Sequence, residues 1–504
     1  MKNFKLFIVF SFFTLFEAHA YKLAISSAPN NLSPFFSTDA NSQNINRLVN
    51  TSLIDFDQKM NIICRLCTSY KEKRDGNKYS IEFDLRDDVK FWDGSAVNAD
   101  SVVLSHKYFT DTEKLKSVFR FAFGNIIEVK KLGDYKVELV YNKFGLDHLP
   151  NLVLFKIVKI TNFDSLEKIE LGDIIGAGEY KFGQIDSFHV NLIPLDKKLP
   201  ALDFVVVKDE TTLSLKMMKG EIDISLAEMS PRKIEFLEKS NAVRVEKKES
   251  TNYNYIGINH QKDYFKDKRV REALSLLVPR EKIVTYKFKN NATIANGLFS
   301  EAFENLYIDR VEEYNPKKAE KLFMQAGFKK VDGKWMFNNQ PLKLLWKSTN
   351  NKFALELVEI IKEEMKKFGI EVELVVQEWG TFLRGLKRGE YDLFIGKWVG
   401  FTGPDMLKFA FYSENIPPKG ANRGFYKNSE LDQQLDLAES TENIEKRNEL
   451  YRQASMLVNN DYAYINLWHP SVIWVMKSCI KIDGMYPNGN MLALRNISDD
   501  CGKR

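Results

Sequence analysis

Long apolar runs are nearly absent from this chain of 504 residues. The one candidate, Leu6 to Phe16, falls short of the roughly 20 residues that cross a bilayer. Lys2 and Lys5 precede it, and Ala18-His19-Ala20 supplies small residues after it, which is the three-part pattern of a secretory signal. Residues 1–20 are therefore expected to be removed, leaving an exported, soluble protein that starts near Tyr21. No cysteine stands at or near that point, so the acylated terminus of a lipoprotein is not on offer. The free periplasm is the expected compartment.

Signatures of catalysis are missing as well. There is no G-x-S-x-G, no H-E-x-x-H, no P-loop and no G-x-G-x-x-G between strand and helix. A secreted hydrolase would need a nucleophile with its base, or a metal cluster, and neither is visible. The histidines His19, His106, His148, His189, His260 and His469 stand singly, whereas a metal site usually declares itself by a close pair. His469, between Trp468 and Pro470, reads as a structural imidazole beside a possible cleft. No catalytic residue, cofactor or metal is expected.

Charge of one sign is also lacking. Lys and Arg number 73 against 68 Asp and Glu, and removing Lys2, Lys5 and Glu17 takes the formal charge from +5 to +4. So even a balance predicts no nucleic-acid partner. Repeats and Pro/Gly-rich linkers are missing too, although the chain exceeds the roughly 250 to 300 residues at which one core stops growing. Two or three domains built from discontinuous segments are expected.

The four cysteines, Cys64, Cys67, Cys479 and Cys501, are even in number, which in an oxidising compartment suggests disulfides. Three pairings are possible. Cys64-Arg65-Leu66-Cys67 has the spacing of a redox pair, but Lys71 to Asn77 reads as a polar turn into a strand and not as the helix such a motif needs. A structural role is expected, or pairing of Cys64 with Cys67 and Cys479 with Cys501.

What is present is a mixed α/β pattern. Tyr79 to Leu85 and Lys136 to Tyr141 alternate as strands, and Asn254 to Asn259 and Ala463 to Trp468 are short apolar stretches of strand residues. Leu357, Val358, Ile361, Met365 and Phe368 keep a helical stripe that Gly369 ends, before Ile370, Val372 and Leu374 alternate. Asn315-Pro316 starts another helix, ending near Gly327. Leu450, Ala454 and Leu457 mark a late one, followed by strand-like residues 462–476.

The strongest local signal runs from Leu85 to Val103. Asp93-Gly94 makes a tight turn, and Asn98 caps a helix whose Asp100 suits the positive end of the dipole and whose Ala99, Val102 and Val103 face inward. As a string of residue types, Leu85-Arg86-Asp87-Asp88-Val89-Lys90-Phe91-Trp92-Asp93-Gly94 and its continuation closely resemble the signature of the family-5 extracytoplasmic solute-binding proteins. Further landmarks follow in order: Leu32-Ser33-Pro34, Met218 to Asp223, Phe265 to Leu274, Ala326-Gly327-Phe328, Gly369-Ile370, Gly389 to Asp392, and Trp398. The resemblance spans about Tyr21 to Asn496.

That resemblance implies a periplasmic binding protein fold, α/β and two-lobed, with a hinge and an additional small domain. Lobe one would comprise 21–50, 165–262 and 478–504, the small domain 51–164, and lobe two 263–477. It implies a monomer that captures a peptide or peptide-like solute and hands it to the permease subunits of an ABC importer. Other cargo in the same family includes metal chelates, sugars and amino-acid derivatives.

In peptide-binding members an extended ligand pairs with backbone from both lobes. Counted without gaps from Leu32-Ser33-Pro34, the lobe-one segment falls at Thr38, Asp39 and Ala40, and the lobe-two segment at Trp398, Val399 and Gly400. Trp398 reads equally well as a core tryptophan. Such members usually carry an Asp three residues after that Trp to hold the free amino group, and here Phe401 stands instead. Asp405 is the carboxylate left to substitute for it. Losing a charge-assisted hydrogen bond costs roughly 1.5 to 3 kcal/mol, about ten- to hundredfold in affinity.

Overall fold

A single strand, Tyr464–Lys477, contributes to several cores at once. Its first part sends Ile465, Leu467 and Trp468 into a cluster with Trp335, Trp346 and Phe368. Its second part sends Trp474 and Met476 into another, with Leu23, Ile25 and Phe204. The computed structural model in which this is seen describes residues 20–501 except 76, 77, 146, 311 and 312. The secretory signal expected at residues 1–20 therefore lies, apart from Ala20, outside the described residues.

Strand pairing gives each side of the long strand a direction. On one side Tyr21–Ile25 runs parallel to Leu202–Val206 and to Ile224–Ser225, and Ile224–Ser225 pairs antiparallel with the long strand at Met476 and Val475. On the other, Lys343–Thr349 runs parallel to Glu371–Gln377 and Leu393–Trp398, and the latter pairs antiparallel with Tyr253–Ile258, itself antiparallel to the long strand. The carboxyl ends of the parallel strands on the two sides consequently point at each other. We call the first side lobe one and the second lobe two.

Two chain segments cross between them. One is the long strand. The other is Val243–Glu249 continuing through Ser250-Thr251-Asn252 into Tyr253–Ile258, with Glu249 opposite Ser471 and Asn254 opposite Trp468. At the crossing Ser250 donates to the Pro470 carbonyl at 3.3 Å and Ser471 to the Asn291 carbonyl at 3.0 Å. Pro470 brings no N–H of its own, and a proline inside a strand marks a place where the ladder is interrupted. His469 is buried there, with Nδ1 2.9 Å from the Asn252 carbonyl oxygen. Burial, set against hydrogen bonds to the backbone carbonyls of Asn252 and Gly297, pushes its imidazole down to about 4, so the ring is neutral near pH 7.

Beside this sheet lies an antiparallel one of Cys67–Asp75, Lys78–Leu85, Lys136–Tyr141 and Ile126–Gly133. Tyr79, Ile81, Phe83 and Leu85 alternate inward as the period of two requires. Helix Ala99–Thr110 packs against it, with Ala99 and Val102 fully buried, Val103 half-buried, and Asn98 and Ser101 forming a reciprocal cap. Such caps contribute about 1 kcal/mol. Gly94 supplies the turn with φ 83°. We call this the small domain.

One expectation needs correction. Lys71 to Asp75 is not a polar turn but the end of strand Cys67–Asp75, because that strand pairs with Lys78–Leu85 down to Asp75 opposite Lys78. Both proposed disulfides are formed, Cys64–Cys67 and Cys479–Cys501. The helices follow their sequence signals: Pro316–Gln325 is capped by Asn315, and Lys352–Phe368 stops at Gly369, φ 103°. Among the described residues no helix is long and apolar enough to cross a membrane.

Candidate functional site

Crevices at the carboxyl ends of parallel strands are where open α/β sheets hold ligands, and here two such edges face each other across the crossing strands. The segment after Tyr21–Ile25 leads on the lobe-one edge to Thr38, Asp39 and Ala40. Thr38 and Ala40 are exposed, and Asp39 caps helix Ala40–Val49. The Asp39 carboxylate accepts from the Ser42 amide at 3.0 Å, the Asn30 amide at 3.1 Å, and the Ser42 hydroxyl. Burial pushes this carboxyl upward, but those hydrogen bonds outweigh it and leave it below its ordinary value. The side chain is thus committed to the cap.

On the lobe-two edge Trp398 ends the strand Leu393–Trp398. Its ring stacks on Tyr255 at 6.0 Å, and the Arg423 guanidinium lies 5.1 Å from its centroid. Val399 is 62% exposed and Gly400 turns with φ 72°. Phe401 turns inward, stacked on Phe303 at 5.5 Å and edge-on to Phe299 at 5.9 Å. Its ring supports the wall of a cavity rather than presenting a free apolar surface.

That cavity, of about 250 Å³, lies between the small domain and lobe two. Phe56, Tyr79 and Phe144 line it from one side, Phe303, Pro404 and Tyr451 from the other. None of Thr38, Asp39, Ala40, Trp398, Val399, Gly400 or Phe401 lines it, and the wall begins one residue later, at Thr402. Its charges are mostly paired. Arg447 lies 3.5 Å from Glu72, which also accepts from the Tyr79 hydroxyl at 2.8 Å, and Lys59 lies 3.0 Å from Glu304.

Asp405 behaves differently. It opens helix Asp405–Phe411 just behind Gly403 and Pro404, and its buried Oδ1 has no hydrogen-bond partner among the described residues. Burial, reinforced by the like charge of Asp147, pushes this carboxyl up to about 7. The sequence held no sign of the segments 303–306 and 447–451 as cavity walls, since each is an ordinary loop or helix stretch until the fold brings them together.

The small domain meets lobe one in another manner. Arg65, in the loop closed by the Cys64–Cys67 disulfide, donates to the Arg47 carbonyl at 2.7 Å, to Glu179 at 2.9 Å and to Asp55 at 3.3 Å. Arg495 adds a bond of 2.6 Å to Glu179. Burial raises the Asp55 carboxyl, yet Arg47, Arg65 and Lys156 together hold it below its ordinary value.

Residues 61–416 match the family described as bacterial extracellular solute-binding proteins, family 5 middle. Among curated relatives, the oligopeptide-binding protein AppA of Bacillus subtilis (strain 168) is 28% identical over 475 residues, covering 88% of this chain and 84% of that protein. The glutathione-binding protein GsiB of Pectobacterium atrosepticum is 25% identical over 467 residues, covering 88% and 87%. Among solved structures, HbpA2 from Haemophilus parasuis superposes with a TM-score of 0.83 at 23% identity, covering 96% of this chain and all of that one. The two-lobed fold is shared with it.

Proposed function

The chain belongs to the bacterial extracellular solute-binding proteins of family 5, and from that premise we propose that it captures peptides or peptide-like solutes between its lobes. It is a solute-binding protein of an ABC importer. The rest of this reading is ours: a soluble periplasmic monomer without enzymatic activity, released by cleavage after residue 20, that delivers its cargo to the membrane permease.

The observation that carries the reading is the pair of facing strand edges on two crossing segments. A ligand that touches both edges does so only when the lobes are together, so its binding energy favours the closed arrangement, which the permease can recognise. The hinge is assigned to residues 250–252 and 469–471. The domains are assigned as 21–50, 165–262 and 478–504 for lobe one, 51–164 for the small domain and 263–477 for lobe two, the crossing strands changing sides within those ranges. Backbone at Thr38, Asp39 and Ala40 and at Trp398, Val399 and Gly400 is assigned to the extended ligand, with Phe401 as support and the cavity beyond Thr402 taking one end of it.

AppA and GsiB, by their names, bind oligopeptide and glutathione, which favours peptide-like cargo. Phe401, where peptide binders place an Asp, favours a second reading: a non-peptide solute such as a metal chelate, sugar or amino-acid derivative. Mass spectrometry of the small molecules that remain bound after purification from the native host separates the two. A mixture of short peptides is expected; a single non-peptide compound would sink the first reading.

A further inference from the structure

Residues 295–306 of lobe two lie between the hinge and the lobe-two ligand segment. At one end the Ala295 amide donates to the Leu467 carbonyl at 3.2 Å, on the lobe-two half of the long strand. Phe299 and Phe303, both buried, pack on Phe401 at 5.9 and 5.5 Å, so this loop backs the segment that runs on from Trp398. Glu301 stands between those two rings in the chain. Its amide donates at 3.2 Å to the carboxylate of Glu249, which ends Val243–Glu249 opposite Ser471, on the lobe-one side of the crossing and directly before Ser250.

A second donor reaches the same carboxylate. It is the Thr293 hydroxyl, from the strand Ala292–Ile294 that pairs with the long strand at His469. Burial and the like charge of Glu301 raise the Glu249 carboxyl, and the two hydrogen bonds together with Lys248 only partly offset them. Hydrogen bonds to an ionised acceptor are the stronger kind. These two span the hinge, because a rotation about residues 250–252 carries residue 249 with lobe one and residues 293 and 301 with lobe two.

The ligand edges are uncovered in this arrangement. Val399 is 62% exposed, and Thr38, Ala40 and Gly400 are exposed with it, whereas lobes closed over a solute would cover them. The tie thus belongs to the open arrangement. We propose that Glu249 is a positioning residue that holds the lobes open through the Glu301 amide and the Thr293 hydroxyl, and that a solute seated at Trp398, Val399 and Gly400 draws the loop away from it through Phe401. This rests on the lobes closing over the solute, as proposed above.

The sign of the effect sets such a residue apart from one that touches the solute. A tie made in only one of two arrangements lowers the apparent affinity by the fraction of molecules it keeps out of the other. Removing Glu249 should therefore tighten binding, whereas removing a ligand contact weakens it. Glu249→Gln keeps an oxygen to accept from the Glu301 amide and loses the charge, and Thr293→Val removes one of the two donors.

The test is double electron–electron resonance between labels at the exposed positions Phe188→Cys and Tyr286→Cys, with titration calorimetry on the full protein and a tripeptide library as the probe. In Glu249→Ala without the probe, the distance should already populate that of the probe-bound parent, and the library should bind about tenfold tighter. Glu249→Gln and Thr293→Val should fall between parent and Ala variant, and they carry the test should the Ala variant fail to fold. Unchanged probe-free distances in every variant that folds, with the library still shifting the parent, would overturn the tie and leave the closing lobes standing. Weaker binding in Glu249→Ala at an unchanged distance would overturn it as well. If the library shifts nothing, the peptide reading falls and the probe-free distances decide alone: a second population in Glu249→Ala, smaller in Glu249→Gln, upholds the tie, and its absence removes it.

Discussion

The small domain meets its two neighbours in opposite ways. Toward lobe one it offers Arg65, 9% exposed in its side chain, bonded to Asp55, Glu179 and the Arg47 carbonyl. Where it meets lobe two there are a cavity, an exposed ion pair between Lys59 and Glu304, the Glu72–Arg447 pair at 3.5 Å, an apolar cluster that joins Phe56 and Tyr79 to Phe303 and Phe401, and, on the lobe-two side, Asp405 without a partner for its Oδ1 among the described residues. Buried charges that are paired from several sides resist separation, because removing one partner strands the others. The face toward lobe two is held chiefly by apolar contacts, Phe56, Phe303 and Phe401 lying in one core cluster, with few buried charge pairs beside them. From the paired charges around Arg65 we propose that the small domain travels with lobe one and that lobe two moves against both.

Removing charge should therefore have opposite signs at the two faces. Arg65→Ala, the largest effect, is expected to cost about 3 to 5 kcal/mol in urea unfolding, since it leaves Asp55 buried without its guanidinium. Asp55 sits below its unfolded value, so its contribution is present above the ordinary carboxylate range and is lost only as the pH falls through the lower folded value.

Asp405 runs the other way. With its carboxyl raised to about 7, the penalty is absent below the unfolded value, grows from about pH 4 and is complete above about pH 7. Asp405→Asn should thus change unfolding little at pH 4 and stabilise the ligand-free protein by about 2 to 4 kcal/mol at pH 8. Destabilisation at pH 8 would break the comparison.

Replacing Cys64 and Cys67 together by Ser loosens the loop that presents Arg65 and should cost about 2 kcal/mol, seen as a lower melting temperature. Lys59→Ala should change stability by less than about 0.5 kcal/mol, since both partners of that pair are well exposed.

Much of this was legible in the sequence. Period-two alternation at Tyr79 to Leu85, the cap at Asn98 and the stop at Gly369 depend on neighbours within a few residues, and they fold as read. The long strand was less legible. A run with Pro470 in the middle reads as two pieces, and only its pairing with Val243–Glu249 and Tyr253–Ile258 makes it one strand serving several cores. The cavity was not legible at all, because Phe56, Phe303 and Tyr451 are ordinary residues far apart in the chain. Asp405 was visible as a residue. Its missing partner became visible only with burial.

The shared motion is tested most directly by double electron–electron resonance between spin labels placed pairwise at Ile127→Cys in the small domain, Phe188→Cys in lobe one and Tyr286→Cys in lobe two, three well-exposed positions. On adding a saturating tripeptide library, the distance from the small domain to lobe one should stay fixed, and both distances to lobe two should shift to a single, narrower population. A change between the small domain and lobe one, with lobe two unmoved, would contradict the account.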